Sequence, residues 1–291
     1  MGRREQVLIT GISGYIGQYL VRYRPKEVTL RGTIHKTRPS LPADVKSFPL
    51  DLKKNVEEQL NAVTADVVIH TAAISGLAEC QHNEQDAMRI NAKATEELAR
   101  WCKEKSCRMI YLSTDIVFDG ESAPYSETDK AQPVNVYGRS KLAGEQAVQS
   151  IVRDFVICRI SLVLGRGMGG RKNFIDWLLK RLENGNDVPL FADEVRTPVL
   201  AKDMAKRIWE IALGTGQGIY HCFGDAAVDR FTLGKACSHI LGKDDSLLKS
   251  VSLRDAAGYP RPANVALTTV REDNTALLPV LDRLEEILYA G

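Results

Sequence analysis

A tyrosine and a lysine four residues apart, in Tyr137-Gly-Arg-Ser-Lys141, follow the hydroxyl-bearing triplet Ser113-Thr114-Asp115 by about two dozen residues. On a helix this spacing sets the two side chains one above the other on a single face. The chemistry that follows is proton exchange with a carbonyl or hydroxyl oxygen, which Thr114 could address as well. Free tyrosine ionises near pH ~10 and is a poor acid or base at neutrality. Lowering it by ~3 units takes ~4 kcal/mol of preferential stabilisation of the phenolate, which an adjacent ammonium and a low-dielectric site can supply. An isolated Tyr-x-x-x-Lys equally describes a half-exposed helix with a snorkelling lysine, so the surrounding elements decide.

Upstream, the apolar run Val7-Leu-Ile-Thr10 leads into Gly11-Ile-Ser13-Gly14-Tyr15-Ile16-Gly17 and an amphipathic stretch to about Tyr23: strand, glycine-rich turn, helix. Gly11 would permit the tight turn, Gly14 would let backbone approach a pyrophosphate, and Gly17 would let helix and strand pack closely. The phosphates would sit on unpaired amides at the positive end of the helix. A plain strand-to-helix turn is the competing reading. A second strand is expected over 28–34, and a site for NAD places an acid near its end to bind the ribose 2′-hydroxyl. No Asp or Glu occurs between Glu27 and Asp44. His35-Lys36-Thr37-Arg38 stands there instead, and Lys36 and Arg38 suit a 2′-phosphate. NADP is therefore favoured, with NAD and a merely solvated basic turn left open.

A third strand over 44–50 would end at Asp51-Leu52, where the carboxylate could accept from an adenine amine. A fourth over 66–70 leads into Thr71-Ala72-Ala73, small enough for close backbone approach. One long helix is expected over 79–105, with Ile90, Ala94, Leu98 and Trp101 on its buried face. Asn91, a poor helix former, is a candidate for a special role there. Residues 109–112 read as a fifth strand with Ser113, Thr114 and Asp115 at its C-terminal end. Pro133 is expected to open the helix carrying Tyr137, Lys141 and Glu145, and 155–160 to form a sixth strand. Strands alternating with helices predict an α/β fold with a doubly wound parallel sheet.

After Leu164 the texture changes. Gly165-Arg-Gly-Met-Gly-Gly170 reads as a flexible loop, followed by helices near 173–182 and 201–213 and short strands near Val195 and over 218–222. Residues 1–163 are thus expected to bind the dinucleotide and carry the catalytic groups, and 164–291 to form mainly a substrate lobe, partly interleaved with the first. Arg159, Asn173, Phe174, Arg196 and Arg261 are candidate substrate contacts, since arginines and an aromatic suit a nucleotide diphosphate. The 291 residues carry 39 basic and 37 acidic side chains. That balance gives no electrostatic case for nucleic acid or an anionic membrane and points to small-molecule partners. Six cysteines (Cys80, Cys102, Cys107, Cys158, Cys222 and Cys237) lack any C-x-x-C or nearby His cluster, so free buried thiols and no metal are expected. The polar start and the short run Val7 to Ile9 fit neither a signal-peptide core nor a membrane span, and a cytoplasmic location is expected.

Taken together, T-G-x-x-G-x-x-G from Thr10, S-T-D-I-V-F-D-G from Ser113, P-V-N-V-Y-G-R-S-K-L-A-G-E from Pro133 and R-P-A-N-V-A-L from Arg261 resemble the extended short-chain dehydrogenase/reductase superfamily. Within it the chain looks most like the dTDP-4-dehydrorhamnose reductase family, over nearly its whole length. The resemblance implies a Rossmann domain with a C-terminal substrate lobe. It implies NADPH-dependent reduction of a 4-keto group on a nucleotide-linked deoxysugar, as in dTDP-L-rhamnose biosynthesis. It also implies a catalytic trio of Thr114, Tyr137 and Lys141, with Lys141 binding the nicotinamide ribose and depressing the Tyr137 pKa. Gly14, Tyr15, Ile16, Asp51, Leu52, Ala73, Ile74 and Ser75 match cofactor contacts, joining Gly11, Ser13, Gly17 and Ala72 of the two turns. Thr114, Asp115 and Leu162 join the candidates for substrate binding.

Two departures bear on the sugar. The family commonly has Tyr where this chain has Ile116, and Arg-Thr-Ser-Trp where this chain has Arg159-Ile-Ser-Leu162. Both remove an aromatic group expected near the sugar. A nucleotide-sugar epimerase using the same trio remains an alternative. So does a non-catalytic NADP-binding regulatory subunit, because the β subunit of methionine adenosyltransferase resembles this same family. A homodimer is left open.

Overall fold

Successive side chains of a strand point to opposite faces, and here both sets are apolar. Val7, Ile9, Ile69, Ile110, Leu112, Val156 and Cys158 are buried in one cluster, and Leu8, Val68, Met109, Tyr111 and Ile157 in another. Strands buried on both faces belong in a parallel sheet covered by helices, and the chain forms one. The computed structural model describes residues 5–168, 173–256 and 258–289. Its main sheet has seven strands: β1 (Gln6–Thr10), β2 (Thr29–Ile34), β3 (Lys46–Pro49), β4 (Val67–His70), β5 (Arg108–Thr114), β6 (Phe155–Ile160) and β7 (Gly218–Cys222). They lie in the order β3-β2-β1-β4-β5-β6-β7, and every neighbouring pair is parallel. The order reverses between β1 and β4, which opens a crevice beyond their carboxyl ends.

Helix α1 (Tyr15–Arg22) packs on the first face through Leu20 and Val21. Helices α2 (Ala94–Lys105) and α3 (Val136–Ile151) cover the second face through Leu98, Trp101 and Val148. Beyond 164 a separate core gathers Ile175, Leu178 and Leu182 of α4 (Phe174–Glu183) with Val188, Leu190, Leu248 and Leu233. The chain does not stay in that lobe. Helix α5 (Ala201–Leu213) returns to the first face through Met204, Ile208 and Trp209, and β7 pairs with β6.

Local reading missed two features here. The single helix expected over 79–105 is broken. Leu77–His82 ends at Asn83, whose side chain caps a new turn by accepting from Asp86 N, and Met88–Lys93 winds as a π-helix before α2 begins. The helix expected to open at Pro133 starts at Val136, because Asn135 caps it by accepting from Gly138 N at 2.9 Å. Gly169 and Gly170 of the expected glycine loop lie outside the described residues. All six cysteines are free and buried.

Candidate active site

Between β1 and α1 the chain turns at Gly11 with φ +73°, a left-handed conformation that glycine adopts without strain. A Cβ at Gly17 would stand 2.8 Å from Ile12 Cα, so helix and strand meet only because it is absent. Gly14 precedes α1 and offers no capping side chain. The amides of the first turn, including those of Tyr15 and Ile16, are thereby left for an anion. Ser13 is buried beside them. Across the crevice, the turn after β4 is tied to β1 by Thr71 Oγ1, which donates to the Thr10 carbonyl at 2.6 Å. Ala72, Ala73 and Ile74 are half-buried there, and Ser75 is exposed.

Asn91 links this turn to α3. Its amide accepts from Ile74 N at 2.8 Å, and its Nδ2 donates to Ile74 O at 2.9 Å and to Ser140 Oγ at 3.0 Å. Buried at 1% exposure within the π-helix, it supplies a physical reason for an unfavourable residue in a helical stretch. Ile74 and Tyr137 then pack together around Cys80, Ala87 and Val136. Thr114, the last residue of β5, donates to Asp115 Oδ1 at 3.1 Å and accepts from Ile116 N at 3.2 Å. The geometry thus brings Tyr137 of α3 beside the end of β5 and the turn after β4.

Electrostatics here differ from the expectation that Lys141 lowers the Tyr137 pKa. Burial pushes the Tyr137 phenol up, and the groups drawing it the other way are Thr114 and Arg196. Lys141 is itself held down to about 7 by burial, opposed by the charge of Glu145 and by Cys80.

Two buried charge clusters lie next to the end of β5 and α3. In one, Glu145 accepts from Ser113 Oγ at 2.5 Å and from Arg159 Nη2 at 2.8 Å. Side-chain exposures of 0% and 4% for Glu145 and Arg159 seal the pair inside. Arg159 is therefore a support of the site and not open to substrate, contrary to its sequence assignment. In the other, Arg196 lies 3.3 Å from Asp115 and 3.1 Å from Glu194. Arg230 and Arg261 approach the same Glu194 at 3.5 and 3.7 Å. Burial works against the Glu194 carboxylate, but Arg230, Arg196 and Arg261 outweigh it and hold its pKa below the ordinary range. Arg230 also faces the Phe174 ring at 4.9 Å.

Glu194 and Arg230 were missed by sequence reasoning. The charged stretch Asp193-Glu194-Val195-Arg196 between apolar runs was the one available signal for Glu194. Arg230 had none, since only tertiary packing brings it there.

The other predicted positions are spread around this centre. Asn173 caps α4 and donates to Gly165 O at 2.8 Å, so its amide is committed to the fold. Leu162 and Ile116 are half-buried. Leu52 is buried and Asp51 half-buried, with His35 Nε2 3.8 Å from the Asp51 carboxylate. Lys36 and Arg38 stand exposed beyond β2, in no ion pair among the described residues. Among the described residues no group of His, Cys, Asp and Glu could hold a metal ion, and no helix is long and apolar enough to cross a membrane.

Comparison with known proteins places the chain in company. The family model described as the RmlD substrate binding domain matches residues 5–283. The chain is 31% identical over 281 residues to the probable low-salt glycan biosynthesis reductase Agl14 of Haloferax volcanii, covering 94% of each. It is 32% identical over 269 residues to dTDP-4-dehydrorhamnose reductase of Mycobacterium tuberculosis, covering 90% of this chain and 83% of that one. Its fold matches the crystal structure of dTDP-4-dehydrorhamnose reductase from Bacillus anthracis in complex with NADP with a TM-score of 0.86, at 23% identity over 98% of both chains.

Proposed function

The chain belongs to the RmlD substrate binding domain family, and from that premise we propose that it reduces the 4-keto group of a nucleotide-linked deoxysugar with NADPH, dTDP-4-dehydrorhamnose being the leading substrate. One observation carries the reading. Tyr137 of α3 and Ile74 of the turn that borders the dinucleotide crevice pack on the same small cluster of Cys80, Ala87 and Val136, beside the strand end that holds Thr114.

The residues present fit such a cofactor. The uncapped first turn of α1 and the glycine bend before it would take the pyrophosphate. Lys36 and Arg38 would take a 2′-phosphate, and Lys141 would hold the nicotinamide ribose. The cofactor supplies the hydride. Tyr137 holds the proton at its phenol oxygen and delivers it to the carbonyl oxygen, which Thr114 orients once its hydroxyl turns from Asp115. At neutral pH the phenol is protonated, as a free tyrosine is, and its upward shift by burial does not change that. Arg230 and Arg261 supply the positive face toward which a diphosphate would lie, and Phe174 an adjacent aromatic surface. Arg196, at 3% side-chain exposure between Asp115 and Glu194, is enclosed behind them as Arg159 is behind Glu145, contrary to its expected substrate contact. NADPH oxidation across a panel of nucleotide-linked 4-keto sugars tests the reading. Tight NADPH binding without turnover on any of them would turn it toward a regulatory role.

Two predictions arise here. A Lys36→Ala, Arg38→Ala double variant loses about 1.5–3 kcal/mol of NADPH affinity, the scale of hydrogen bonds to a charged group, while NADH affinity stays unchanged. Calorimetric titration of both cofactors checks it, and an unaltered NADPH preference would remove these residues from the site. Restoring the family's aromatics with Ile116→Tyr and Leu162→Trp changes kcat/KM ratios among keto-sugars by roughly 10-fold or more, the scale of a reshaped apolar pocket. Identical sugar profiles before and after would show that neither position sets specificity.

A further inference from the structure

Lys141 is a buried ammonium with an aromatic seat. Among the described residues no hydrogen-bond acceptor meets its Nζ, which stands 4.1 Å from the centroid of the Tyr111 ring. Tyr111 is fully buried. Its hydroxyl donates toward the carbonyls of Asn91 and Lys141, both at 3.3 Å. The His70 ring lies 5.7 Å away and 28° from parallel, itself fixed between Thr10 and Thr95 at 2.6 and 3.0 Å. A Cβ at Gly144 would collide with the Tyr111 hydroxyl, so the glycine permits α3 to close on the ring. The ring is thus held both at its hydroxyl and beside His70.

We propose that Tyr111 is a positioning residue of the site, whose ring face seats the Lys141 ammonium one turn along α3 from Tyr137, where it can meet a ribose. The ribose contact rests on the reductase reading, whereas the seating is a property of the protein alone. An aromatic face carries the negative part of the ring quadrupole and attracts a cation, more strongly where water is excluded. That attraction matters because burial disfavours the charged lysine. The groups facing Lys141 are Glu145 from α3, Cys80 from Leu77–His82, Tyr111 from β5 and His70 from β4. Glu145 and Cys80 favour the ammonium. His70 does not compete, since burial and Lys141 hold its pKa down to about 3.

The test is NMR of the cofactor-free protein carrying ¹³C-labelled lysine, with the Lys141 resonance assigned by its loss in Lys141→Met. Ring current from Tyr111 places the Lys141 ε-methylene well upfield of the other lysines. In Tyr111→Leu that displacement vanishes and the titration midpoint falls by roughly one pH unit, the scale of a desolvated cation–π contact. In Tyr111→Phe both persist, because the ring remains. The alkaline limb of kcat/KM should move to lower pH in the leucine variant only, since turnover is lost as Lys141 deprotonates. A wild-type Lys141 resonance that is not displaced overturns the proposal without any Tyr111 variant needing to fold. An unchanged midpoint in a folded Tyr111→Leu overturns it as well. Failure of the wild type to oxidise NADPH with any keto-sugar would instead count against the reductase reading, and the NMR result would stand apart from it.

Discussion

Tyr137→Phe lowers turnover by roughly 10²-fold or more, the contribution of a positioned proton donor, while the protein folds and binds NADPH as before. The substitution removes one hydroxyl and keeps the ring that packs against the cluster of Cys80, Ala87 and Val136, on which Ile74 also packs. The alternative donors are poorly placed. Thr114 commits its hydrogen to Asp115 at 3.1 Å, and a hydroxyl of ordinary acidity cannot replace a phenol at neutral pH. Steady-state rates on the true substrate, with NADPH binding followed by fluorescence, check the expectation. Near-normal turnover with normal cofactor binding would show that Tyr137 is not the donor.

Glu145→Ala destabilises the protein by about 3–5 kcal/mol, the cost of leaving a buried charge without its partner. Arg159 would remain at 4% side-chain exposure with its counter-charge gone. The loss corresponds to a fall in Tm on the order of 10 °C for a chain of this size. The effect belongs to breaking the pair and not to the pair's net worth. A Glu145→Leu, Arg159→Met double variant should therefore recover most of the stability. Thermal and urea unfolding of the three proteins decide it. A single-variant loss below about 1 kcal/mol would mean that the Arg159 charge finds water or another acceptor, and that the pair does not hold α3 against β6.

Much of the fold follows from rules that act over a few residues. Short continuous apolar runs bounded by turn residues fit strands buried on both faces, and their alternation with helices specifies the doubly wound class that the comparisons bear out. The bend at Gly11 is equally local, because only glycine takes a left-handed turn without strain. The four-residue interval between Tyr137 and Lys141 fixes their shared helix face before any tertiary contact exists.

What tertiary structure alone decided concerns pairings between distant segments. Nothing within 218–222 distinguishes a strand of a small lobe from the edge of the main sheet, because that choice is made by β6, some sixty residues away. The role of Asn91 inside the stretch 79–105 required knowing that it would meet Ile74 and Ser140, 17 and 49 residues away. Arg159 resembles any arginine near a site until Glu145 is seen to enclose it. Arg230 joins Glu194 across 36 residues. The charge states turned on burial as well: a lysine four residues from a tyrosine promises a lowered phenol pKa, but desolvation pushes the phenol up and the ammonium down. Sequence spacing determined which groups could meet along one helix. Packing determined how much water they kept and which charges faced them, and those two quantities set what the groups can do.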